Sequence, residues 1–226
     1  MRGPAILAAF GRTMAHTEVT KRRKVSALCG ARPAGQLDRP RPWKSTDAAA
    51  AAKEFVRRPR KAAIRELLEG LCSDDPYEHR CAAEVARLVS IREPGILEGC
   101  SDILAEAAAA FPDEEWQARG YVIVAAAHNA LTRAQRRRLL PTVRERLRPE
   151  ERIGVRAMAL EAFLVLGAQD AELRDEAVEM MEEARRSPIP ALRARARRML
   201  PMLLKAQTSR AGLAESRRGR ASIPTQ

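Results

Sequence analysis

The chain has 226 residues, 46% of them hydrophobic but only 4% aromatic, with a formal net charge of +12. That length holds one domain of ordinary size with extensions, and an Ala- and Leu-rich composition with few β-branched residues favours helix over strand. The charge excludes a uniformly cationic protein: Lys/Arg against Asp/Glu run 14 to 4 in residues 1–60, 22 to 24 in 61–204 and 5 to 1 in 205–226, so the basicity sits at the ends.

No apolar run reaches the roughly 18 residues needed to span a bilayer. Residues 1–45 show no sustained periodicity and mix Gly, Pro, Ser and basic residues, including KRRK at Lys21 to Lys24. They are expected to be a disordered basic segment. Pro4 to Phe10 is a short apolar run, too minimal to read as a secretory signal, and Met14 is an alternative start of translation. Residues 46–58 predict a short capping helix, with Ser45 or Thr46 as its N-cap.

From 59 to 206 the pattern is helical, in pairs. The first pair runs from about Arg60 to Cys72, with Ile64, Leu67, Leu68 and Leu71 on one face, and from Pro76 to Val89. The second starts at Pro94, turns through Pro112 and Asp113, and returns with Trp116, Val122, Ala125 and Ala126, where Trp116 reads as core. The third starts at Thr132, a good N-cap, carries Leu139, Leu140, Val143 and Leu147, and returns over Glu151 to Gly167. That return helix places Val155, Ala159, Ala162, Phe163 and Leu166 on one helical face, and Gly167 reads as its left-handed C-cap. The fourth uses Leu173, Ala177, Met180 and Met181, turns through Ser187 to Pro190, and returns with Leu192, Ala196, Met199, Leu200 and Leu203. Residues 207–226 are again polar and basic and are expected to be a disordered tail.

One arginine recurs near the start of each return helix: Arg80, Arg119, Arg156 and Arg193, at steps of 39, 37 and 37 residues. Six residues before the first three stand Asp74, Asp113 and Glu150, whereas the fourth has Ser187. A fixed period of this size marks a helical solenoid. The acids suit the positive ends of helices, and each arginine can reach the acid of a neighbouring repeat, which predicts a structural ladder of charge-assisted hydrogen bonds.

The helix–turn–helix pairs, the period, the Asp/Pro turn and the V-R-x-x-A-x-x-A pattern of Val155, Arg156, Ala159 and Ala162 resemble HEAT repeats over about residues 60–205. The resemblance implies an all-α, right-handed α-α superhelix of the HEAT/armadillo type with about four helical hairpins. It is most similar to small bacterial HEAT-like proteins without assigned activity. A solenoid of this kind implies an extended binding surface but no particular partner.

No catalytic constellation emerges. His16, His79 and His128 lack metal-ligand spacing with one another or with Cys and acids, and His79 reads as a surface residue. Paired glutamates such as Glu182–Glu183 do not face each other on a helix. No enzyme activity, cofactor or metal is therefore expected. Cys29, Cys72, Cys81 and Cys100 include no C-x-x-C pair; the last three fall on apolar helix faces and read as buried free thiols, which fits a reducing cytoplasm. Two arginine runs are candidate binding surfaces: Arg136, Arg137 and Arg138, and Arg193, Arg195, Arg197 and Arg198. The leading expectation is a non-enzymatic scaffold or adaptor that binds another protein. The alternative is nucleic-acid binding, as in HEAT-like DNA glycosylases for alkylated bases, through the basic tails and arginine runs. A helper for a pigment or metal enzyme is a third class, with only the fold behind it.

Overall fold

The computed structural model describes residues 47–205 apart from 74, 112–114, 130 and 204. Every element among these residues is helical and no strand occurs. The two basic tails, Lys21 to Lys24, Met14, Cys29, Ser45, Thr46, Asp74 and Asp113 lie outside the described residues. None of the described helices is long and apolar enough to cross a membrane. The chain divides into two compact units, Met1–Thr142 and Val143–Gln226.

The first unit opens with α1 (Ala48–Arg57), capped by Asp47, whose carboxylate accepts from the amides of Ala49 and Ala50 at 2.9 and 3.0 Å. One carboxylate satisfies two otherwise orphaned N–H groups, as an N-cap does. Next, α2 (Lys61–Leu71) buries Leu67, Leu68 and Leu71. α3 (Pro76–Arg92) starts with Pro at its first position, where the missing N–H costs nothing, and with Asp75 accepting from the Tyr77 amide at 2.9 Å. It packs against α1 and α2 through Ala82, Ala83, Val85, Ala86 and Val89.

The helix expected from Pro94 is broken. A 3-10 segment, Pro94–Cys100, precedes α4 (Ser101–Ala110), and the Ser101 hydroxyl donates to the Glu98 carbonyl at 2.7 Å across the junction. Gly95 and Gly99 in this segment lower its helix propensity. α5 (Trp116–His128) then packs on α3 and α4. Small residues on both partners, Ala82 to Ala86 against Ala118 to Ala127, leave room for close approach of α3 and α5. Their C-terminal ends are tied by Asn129, which is fully buried and donates to the Ala125 carbonyl at 2.7 Å and to the Ser90 hydroxyl at 3.3 Å. Trp116, expected in the core, is only half-buried at the exposed start of α5.

α6 (Arg133–Glu145) begins at the expected cap. Thr132 and Gln135 form a reciprocal capping box, the Thr132 hydroxyl accepting from the Gln135 amide at 3.2 Å and the Gln135 side chain accepting from the Thr132 amide at 2.8 Å.

In the second unit α7 (Ile153–Gln169) is buried on nearly every side from Val155 to Gly167. α8 (Arg174–Arg186) packs on it through Ala177, Met181 and Ala184. A further helix, α9, covers residues 190–203 and buries Leu192, Ala196, Met199 and Leu203. Gly167 is not the C-cap. The helix continues to Gln169, with Asp170 as the cap, and a Cβ at Gly167 would lie 2.3 Å from the Ala177 Cβ. The glycine is required by the approach of α8, not by a left-handed turn.

Cys72, at the C-cap of α2, is disulfide-bonded, whereas Cys81 and Cys100 are free thiols. This corrects the expectation of a free thiol at Cys72. The residue stands half-buried at the end of the helix, and it no longer argues for a reducing compartment.

Candidate functional site

The two arginine runs are mostly occupied by the fold itself. Arg136 donates to the Leu131 carbonyl, beside the cap of α6. Arg138 pairs with Asp102 at 3.0 Å, a pair that is more than half exposed on both sides and so worth under about 1 kcal/mol. Arg137 is exposed. On α9, Arg193 donates to the carbonyls of Ser187 and Pro188, both at 2.8 Å. Arg195 and Arg198 converge on Glu161 of α7, which is 2% exposed. Arg197 alone of the α9 run projects to solvent with no partner among the described residues.

Glu161 was not singled out by the sequence reading, although a signal existed. It is the one acid in an apolar stretch of α7, and it lies 34 and 37 residues before Arg195 and Arg198, about one repeat. A buried carboxylate needs donors, and the return helix of the next repeat supplies two.

The four repeating arginines do different work. Arg119 is 1% exposed and donates to the Phe111 carbonyl at 3.4 Å. Arg193 likewise serves the carbonyls that end the preceding helix. Arg80 is exposed and lies over the Tyr77 ring, 5.4 Å from its centroid. Glu150 is exposed and holds no ion pair among the described residues. Glu151 beside it takes Arg146 at 2.9 Å instead. The expected rungs at Glu150, Arg156 and Arg193 are not formed among the described residues, and Arg193 bonds to carbonyls instead. A main-chain oxygen at a helix end is close and always present, whereas an exposed acid must be immobilised first.

Arg156 is the exception. It is half-buried, its Nε is buried, and its side chain meets no hydrogen-bond acceptor or acid among the described residues. It lines a cavity of about 140 Å³ within the second unit. The apolar walls are Leu147 from the turn after α6, Leu160 one helical turn from Arg156, Met180 and Ala184 of α8, and Leu192 of α9. Glu183 of α8 stands at the rim, exposed and unpaired with Arg156. Ser187 closes one end, but its hydroxyl accepts from the Ile189 amide at 3.2 Å and its carbonyl is taken by Arg193. A wider groove of about 570 Å³ continues from Glu183 and Ser187 past Glu179 and Glu182. The site thus offers one desolvated cation, aliphatic walls and an acidic approach.

The first unit holds a second polar cluster. His79, expected at the surface, is 3% exposed, and its Nδ1 lies 2.7 Å from Glu115, with its ring edge-on to Phe111 at 5.0 Å. The correction has a plain cause: Glu115 stands at the start of α5, where it can reach the first turn of α3, so a buried imidazole has a partner. The pair staples two helices. Among the described residues no group of three or more His, Cys, Asp or Glu is arranged to hold a metal ion.

No family model matches the chain, and neither a curated protein nor a solved structure does.

Proposed function

We propose that this chain is a non-enzymatic interaction module, a right-handed superhelix of about four HEAT-like hairpins that binds another protein. The observation that carries the reading is the cleft at Arg156. The cavity is apolar-walled, holds a single unsatisfied cation and, taken without the glutamate-lined groove beside it, is smaller than the roughly 300–1,000 Å³ usual for small-molecule substrates. Those dimensions suit one anchoring side chain of a partner better than a substrate. The helix pairs at a period of 37–39 residues support the repeat architecture.

Nucleic-acid binding rests on the tails, since Arg193, Arg195 and Arg198 are spent inside the fold. The test is affinity co-purification with the full-length chain, quantified by mass spectrometry, beside DNA binding across a salt titration. A partner protein retained at stoichiometric levels supports the interaction module. Salt-sensitive DNA binding with no protein partner refutes it.

A further inference from the structure

We infer that the Arg156 cleft is a peptide-anchoring site for a partner segment in which an acidic side chain adjoins an aliphatic one, followed by basic residues. The inference rests on the interaction reading above and names the chemistry of its partner.

Three features lead to it. First, a guanidinium whose Nε is buried without an acceptor leaves a donor that has lost water and gained nothing, a cost that a carboxylate removes. At the same repeat position, Arg119 and Arg193 place a terminal nitrogen on a carbonyl ending the preceding helix. Arg156 has no such carbonyl and faces the cavity. Second, Leu147, Leu160, Met180, Ala184 and Leu192 form apolar walls around about 140 Å³, room for one apolar side chain. Third, the acids beside the cleft are uncommitted. Glu183 and Glu179 are exposed and hold no ion pair among the described residues, and both line the groove leading away. Glu182 in that groove is engaged by Arg185 and Arg186.

A bare aliphatic acid would bring no counter-charge to Glu183 and Glu179, whereas the basic residues of a peptide would. A phosphate backbone would meet Glu179 and Glu183 at close range, a like-charge approach that disfavours nucleic acid. A carboxylate on Arg156, an aliphatic side chain behind it and cationic residues over Glu183 and Glu179 satisfy all three features in one short segment.

The experiment uses the full-length chain and a fluorescein-labelled, end-blocked peptide, Ser-Glu-Leu-Gly-Lys-Lys, followed by anisotropy. The wild type should bind saturably. Replacing the peptide's Glu by Gln should weaken binding about tenfold or more, as loss of a charge-assisted hydrogen bond implies. R156Q should lose a similar factor, with an unchanged thermal melt reporting that the fold is intact. In the wild type, the Arg156 Nε–H signal in a ¹H–¹⁵N spectrum should shift on adding the peptide, a readout that needs no variant. The double variant E179Q/E183Q should weaken binding and blunt its salt dependence. No saturable binding, equal binding of the Glu and Gln peptides, or displacement by single-stranded DNA overturns the inference. So does R156Q binding as tightly as the wild type. If R156Q still co-purifies the partner of the full chain at wild-type levels, this site is refuted while the interaction reading stands.

Discussion

Gly167 and Ala177 touch where α7 meets α8: a Cβ built on the glycine would sit 2.3 Å from the alanine Cβ, and 3.4 Å from the Leu173 carbonyl. A mid-helix glycine normally costs about 0.5–1 kcal/mol relative to alanine. Here the side chain that would recover that energy has no room. G167A is therefore expected to destabilise the second unit by about 1–2 kcal/mol, overpacking outweighing the gain in helix propensity. G167A/A177G should recover most of the loss, because the colliding methyl is gone. Urea unfolding of the two variants checks this. A stabilised G167A would show that α8 can shift without cost.

Glu161 and its two arginines predict an asymmetry. Removing the arginines in R195A/R198A takes two charged donors from a carboxylate that is 2% exposed, and should cost about 3–5 kcal/mol. E161Q leaves two cations that are 20% and 55% exposed and can turn to water, so it should cost less, about 1–3 kcal/mol. Chemical denaturation of both variants gives the comparison, and equal losses would contradict a role for carboxylate burial.

The buried amide of Asn129 gives a parallel test in the first unit. N129A removes the donor to the Ala125 carbonyl and to Ser90, and should cost about 1–3 kcal/mol. S90A deletes only the longer, 3.3 Å contact and should cost less than N129A. Amide hydrogen exchange should show faster opening at the C-terminal ends of α3 and α5 in N129A, with α2 little changed.

Much of the all-α organisation was legible because helix period and capping chemistry are local. The apolar spacing of Leu67, Leu68 and Leu71, Pro76 after Asp75, and Thr132 before Gln135 each act within one or two turns, and each element forms where that chemistry directs. What escaped depends on contacts between helices. Gly167 carries the same letter whether it caps a helix or admits a neighbour, and only the position of Ala177 decides between them. His79 read as exposed because its partner lies 36 residues away. The four arginines shared a register, yet each one's task is set by the carbonyl or ring that its own turn presents. Arg156 became a candidate only once its turn proved to offer neither.

Cys100 allows a test of burial by reactivity. It is the last residue of the 3-10 segment and is partly buried, and burial pushes its thiol pKa above the usual cysteine value, because the low-dielectric surroundings disfavour the thiolate. The sign follows directly. At a fixed pH below the raised value a smaller fraction is thiolate, and the thiolate is the nucleophile, so alkylation by iodoacetamide at pH 8 should run several-fold slower at Cys100 in the native chain than in urea. The native rate should climb steeply as the pH rises through the shifted value, while the denatured rate levels off earlier. Peptide-resolved mass spectrometry of timed alkylation distinguishes Cys100 from Cys81. Equal native and denatured rates at pH 8 would mean that the 3-10 segment opens freely enough to hydrate the sulfur.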